Sequence, residues 1–94
     1  MALIVDTAVK AFDLTQIHRG DCIRVKRNGD TTAKNGFVTK VGEKQIEILY
    51  CNTQNNATSY LPILAVDVAI GMWEIWWTTD FATINVENDA PPME

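Results

Sequence analysis

A small all-β domain, built from five to six antiparallel strands with one short helical turn near residues 65–71, is the fold class this sequence predicts. Three observations predict it. Ile23 and Val25 alternate with Arg24 and Lys26, the period of two that marks a half-buried strand. Residues 36–41 and 44–51 flank Gly42-Glu43, a glycine-first pair suited to a two-residue hairpin turn. Trp73, Ile75 and Trp77 share one face of a further strand, whereas residues 65–71 are too few for a packed helix.

The elements follow in order. Residues 2–5 are apolar throughout and predict a first strand paired with the C-terminus. Residues 12–20 predict a turn or single helical coil, capped by Asp13 or Thr15 and ended by Gly20 in a left-handed conformation. A strand over 21–27 leads into a polar loop over 28–35 with Asn-Gly at both ends. In the central hairpin, Val41 opposite Lys44 would place Thr39 opposite Ile46 and Phe37 opposite Ile48 on one surface. Val38 would then face Glu47 on the other. Residues 52–59 predict a loop and 60–64 a short edge strand, because Pro62 cannot donate to a ladder. A buried turn closed by Gly71, the strand over 73–78 and a last strand at Ile84 and Val86 complete the chain.

Ninety-four residues suffice for one core and not two, so residues 1–87 are assigned to one domain and 88–94 to a frayed tail. The apolar stretch 61–77 is interrupted by Pro62, Asp67, Gly71 and Glu74, and no leader is evident at the start. A cytoplasmic protein with no membrane contact is expected. Cys22 and Cys51 lack metal-ligand spacing and read as reduced thiols in or beside strands. Net charge is −4, unevenly spread: all eight basic residues lie between Lys10 and Lys44, and residues 45–94 carry only acids. A basic and an acidic side are expected.

Strands at short spacing, a long first loop, a central hairpin and a helical turn before the last strands together resemble the SH3-like barrel group. Within it, residues 20–48 resemble a KOW-type segment, with Gly20-Asp21, Ile23, Val25, Gly36, Val38, Val41 and Ile46-Glu47-Ile48 in the motif's roles. The resemblance implies a barrel and, through KOW domains, contact with RNA or the transcription and translation machinery. Small prophage-type proteins of bacterial genomes share this general look.

No nucleophile–base–acid set, phosphate loop or metal cluster is legible, so no catalytic residue, cofactor or small-molecule substrate is assigned. His18 reads as a solvated or turn-capping imidazole and Asp67 as a cap of its turn. Two surface features stand out. Trp76, Leu49 and Val38 fall on strand faces opposite the expected core and form a candidate protein-binding patch, with a homo-oligomer or protein partner as the occupant. The competing reading is that the N-terminal segment covers this face through Phe12 or Leu14. The second feature is Arg24, Lys26 and Lys40 on outward strand positions, a candidate nucleic-acid patch that the acidic net charge disfavours. The leading expectation is a non-catalytic interaction or assembly module. Nucleic-acid binding is the alternative, and a small enzyme with spatially assembled carboxylates is a third.

Overall fold

The structure is a computed structural model that describes residues 3–6, 10–52 and 54–87. The tail assigned to residues 88–94 lies outside the described residues. Among the described residues, eight strands and one helical turn follow one another: β1 (Ile4–Asp6), β2 (Lys10–Phe12), β3 (Cys22–Arg27), β4 (Lys34–Val41), β5 (Gln45–Asn52), β6 (Ala57–Leu64), α1 (Ala65–Ala69), β7 (Trp73–Thr78) and β8 (Asn85–Glu87). Six of them form one antiparallel sheet in the order β6-β5-β4-β3-β7-β8, and β1 pairs with β2 in a separate ribbon. The protein is all-β with one short helix, as the alternating patterns predicted.

The core follows from side-chain alternation. Ile23 and Val25 on β3, Ile46 and Ile48 on β5, and Trp73, Ile75 and Trp77 on β7 are buried in a common cluster. Each buried aliphatic side chain there contributes about 1.5–3 kcal/mol relative to its exposed state. Leu3, Phe12 and Ile17 enter the same cluster, so the N-terminal segment completes the core. The first strand therefore pairs with β2, with its contact to the C-terminal strand made through Leu3 N–H, which donates to Glu87 Oε1 at 3.0 Å.

The central hairpin differs from its predicted register. Gly42 N–H donates to the Gln45 carbonyl at 3.0 Å, Val41 faces Ile46, and the turn is carried by Glu43 and Lys44. Between Lys40–Glu47 and Val38–Ile48 the register shifts at Thr39, a β-bulge. The Thr39 hydroxyl donates toward the Glu47 carbonyl and lies 3.1 Å from Glu47 Oε1. One inserted residue reverses the alternation, so both Val38 and Val41 point toward the core. Phe37, expected inside, lies 52% exposed, and Val38, expected outside, lies 1% exposed.

Short polar contacts fix the turns. Asp13 Oδ1 accepts the Thr15 N–H and hydroxyl, the turn cap expected at this position. Gly20 has φ +94° and its N–H donates to the Val38 carbonyl, while Val38 N–H donates back to Asp21. α1 is closed by Gly71 at φ +86°. In the β7–β8 loop, Asp80 Oδ1 accepts the N–H groups of Thr83 at 2.8 Å and Ala82 at 2.9 Å.

These bonds hold two carboxyls below the ordinary aspartate value: Asp80 through the Thr83 and Ala82 amides, Asp13 through the Thr15 hydroxyl and amide. A folded-state pKa lowered in this way adds stability above the unfolded pKa and withdraws it as pH falls through the lowered one. The Asp13→Asn, Asp80→Asn double variant should therefore lose less stability than the parent between about pH 6 and pH 3. Denaturant midpoints across that range measure it, and parallel curves would refute the linkage.

Candidate functional site

The ladder pairings place a row of side chains across the outer face of the sheet. Tyr60 faces Leu49, Leu49 faces Phe37, Phe37 faces Cys22 and Cys22 faces Thr78. Directly opposed residues in antiparallel strands share a face. Tyr60 is 63% exposed, Phe37 is 52% exposed and Leu49 is half-buried between them. On β6 the same face continues through Pro62 to Leu64, both exposed. Beyond it, Val66, Ala69 and Ile70 lie at helical spacing around α1 and are exposed too. The apolar strip Phe37–Leu49–Tyr60, extended along β6 by Pro62 and Leu64, is the candidate site.

Of the predicted protein-binding residues, Leu49 is in this strip and the other two are not. Val38 belongs to the core for the reason given by the bulge. Trp76 does sit on the outer face, opposite Arg24 and Val86, but it is only 5% exposed. Of the two residues expected to cover it, Phe12 is in the main core and Leu14 is 43% exposed. Instead, the Arg24 guanidinium lies 5.5 Å from the Trp76 ring centroid, and Ile84 joins both in lining a cleft of about 60 Å³. A cation over an indole face gains about 0.5–2 kcal/mol, more as water is excluded.

The basic residues do not form one patch. Arg24 is committed to Trp76, and its Nε is buried without a hydrogen-bond partner among the described residues. Lys26 Nζ lies 3.4 Å from Glu74 Oε2. Lys40 stands directly opposite Glu47. With Cys22 level with Phe37, Lys26 and Lys40 lie on opposite sides of that row, about 20 Å apart along the strands.

A polar cluster invisible in sequence joins two loops. Asp21, 3% exposed, accepts the His18 N–H at 2.8 Å and the Thr79 hydroxyl at 2.9 Å through Oδ2. His18 Nδ1 lies 3.5 Å from the Thr79 oxygen and 3.8 Å from Asp21. The hydroxyl donates to the carboxylate rather than to the imidazole, so the three groups are ordered as a clasp and not as a base activating a nucleophile. Thr79 is 58 positions from Asp21, and no spacing rule could have found it.

An open cleft of about 550 Å³ lies between the start of β4 and the end of β5. It is lined by Lys34, Asn35, Tyr50 and Asn52, with Lys34 Nζ 5.8 Å from the Tyr50 ring centroid. Cys51 is exposed beside it and Cys22 is half-buried, and both are free thiols. Among the described residues, no three His, Cys, Asp or Glu side chains are grouped to hold a metal ion, and no helix is long and apolar enough to cross a membrane.

Sequence reasoning offered Phe37 or Tyr60 only as an aromatic platform beside the basic residues, because the bulge that turns Phe37 outward has no local signature and Tyr60 reads as the first residue of a short edge strand. It missed Phe81, 67% exposed at φ +59° on the loop that leaves Thr78. No curated protein and no solved structure matches the chain. The family described as Domain of unknown function (DUF5026) matches residues 3–84, a span holding every strand but β8, α1 and the whole exposed apolar strip. The chain belongs to the DUF5026 family.

Proposed function

We propose that the protein is an SH3-like barrel acting as a non-catalytic protein-interaction or assembly module. The order β6-β5-β4-β3-β7, with a helical turn between β6 and β7, supports the barrel reading, as does the pairing of Gly20-Asp21 with Val38 in the KOW-like segment. The observation that carries the functional reading is the exposed row Phe37–Leu49–Tyr60. Large apolar side chains left contiguous on a sheet face mark interfaces more often than isolated exposed residues do. Aromatic anchors of this kind commonly supply 2 kcal/mol or more of binding each, to order of magnitude.

The test compares the parent with a Phe37→Ser, Tyr60→Ser double variant in affinity capture from cells that express the protein. Both side chains are exposed, so the variant should keep its circular dichroism and lose captured partners about 30-fold or more. A folded variant that retains the same partners at the same level would remove this reading.

Nucleic-acid binding is the second reading. It is favoured by one observation, that Phe37 and Tyr60 offer aromatic surface on the face that also carries Arg24. Against it stand Glu74 and Glu47 beside Lys26 and Lys40, and the net charge of −4. Only weak, strongly salt-dependent gel shifts are consistent with that balance.

A further inference from the structure

The outer edge of β6 holds a row of backbone groups that the sheet does not use. Gln45 turns its carbonyl toward Gly42 on β4, so Ile46, Ile48 and Tyr50 turn their backbone groups toward β6, where they meet Ile63, Leu61 and Ser59. Ala65 N–H donating to the Lys44 carbonyl at 2.8 Å continues the same phase, and Pro62, which has no N–H, falls on the other. Thr58 and Tyr60 therefore direct both N–H and C=O away from β5. Among the described residues, no backbone hydrogen bond outside the strand ladders reaches either of them.

Exposed edges of this length are ordinarily blunted by charges, prolines or bulges, and Pro62 does so only toward the C-terminal end of β6. β6 reads Ala-Thr-Ser-Tyr-Leu-Pro-Ile-Leu, without one charged residue in a chain of net charge −4. Resting on the interaction-module reading above, we propose that β6 pairs antiparallel with β6 of a second copy of this chain, about a two-fold axis at Ser59. Thr58 then faces the partner's Tyr60, and Tyr60 faces the partner's Thr58. Each of these two pairs exchanges two backbone hydrogen bonds, and the axis makes the Thr58–Tyr60 stretch of the edge its own complement.

Three features select this occupant and register. The uncharged strand brings no like charges together despite the acidic chain. Pro62 falls level with the partner's Asn56, beyond the end of its strand, so the missing N–H leaves no gap; sliding the register toward Pro62 would place it inside the ladder. Tyr60 lies on the face shared with Leu49 and Phe37, so pairing joins the two exposed rows into one surface.

Light scattering on eluting protein and sedimentation over a wide concentration range test the proposal. The parent should reach a dimer and stop there. Thr58→Pro deletes an N–H that does not face β5, so it should fold and dimerise about tenfold or more weakly. Should that variant misfold, amide exchange on the parent decides: Thr58 and Tyr60 N–H groups should gain protection as concentration rises. A parent monomeric throughout, open-ended species beyond a dimer, or amides whose exchange is independent of concentration would each overturn the pairing. A dimer that survives Thr58→Pro but is lost on Phe37→Ser would overturn the edge while leaving the interaction face standing. Edge pairing that persists while Phe37→Ser, Tyr60→Ser changes no partner capture would separate the two in the other direction.

Discussion

Trp77→Ala should lower unfolding free energy by about 3–5 kcal/mol, the range for truncating a large buried aromatic. Trp77 is 1% exposed on β7, between β3 and β8, and its side chain lies within the main core. Its Nε1–H also donates to the Gln16 carbonyl at 2.8 Å, tying the turn after β2 to the sheet. Truncation removes the ring, opens a cavity and frees that turn together. A domain of this size is stable by about 5–14 kcal/mol, so the variant stands near the edge of folding at room temperature. Urea midpoints and near-ultraviolet circular dichroism measure the loss. Trp76→Ala should cost less, because the Arg24 stem above it can settle into the vacated space. It should still act on folding and not on partner capture, since Trp76 is covered. A Trp77→Ala midpoint within about 1 kcal/mol of the parent would contradict the core assignment.

Gly36→Ala should be equally damaging for a different reason. A methyl group at Gly36 would overlap the Leu49 carbonyl oxygen and lie 2.9 Å from its carbon, with the Tyr50 Cα at 3.1 Å. These are backbone atoms of the paired strand, which cannot rotate aside as a flexible side chain would. β4 and β5 must separate at the centre of the sheet, beside the exposed Phe37–Leu49 pair. The expected loss is on the order of 3 kcal/mol, the upper end for over-packing. Amide exchange would localise it to β4 and β5. At Gly20, by contrast, a Cβ meets nothing within 4 Å, so alanine there carries only the cost of its left-handed backbone, about 1–2 kcal/mol. Equal losses at the two positions would argue against the close strand approach.

The exposed apolar row was half legible for a physical reason. Leu49 was placed correctly on the outer side because β5 alternates without interruption from Ile46 to Tyr50. Phe37 and Val38 were exchanged because a β-bulge has no local signature in composition, and the Thr39 hydroxyl that settles it bonds to Glu47 across the hairpin. β6 extends back to Ala57 because Ala57, Thr58 and Ser59 pair with β5, although their polarity resembles the turn before them.

By itself the sequence determined the all-β class, the β7 face that carries Trp73, Ile75 and Trp77 inward, and the helical turn closed at Gly71, because each depends on local periodicity or a single backbone preference. Only the tertiary structure decided how Arg24 comes to lie over Trp76, which face Phe37 takes, and where the Asp21 clasp finds Thr79. Alternation states that a strand has two faces. Which face is wet depends on residues brought from elsewhere in the chain, as Arg24 is brought over Trp76, and one inserted residue is enough to reverse the answer.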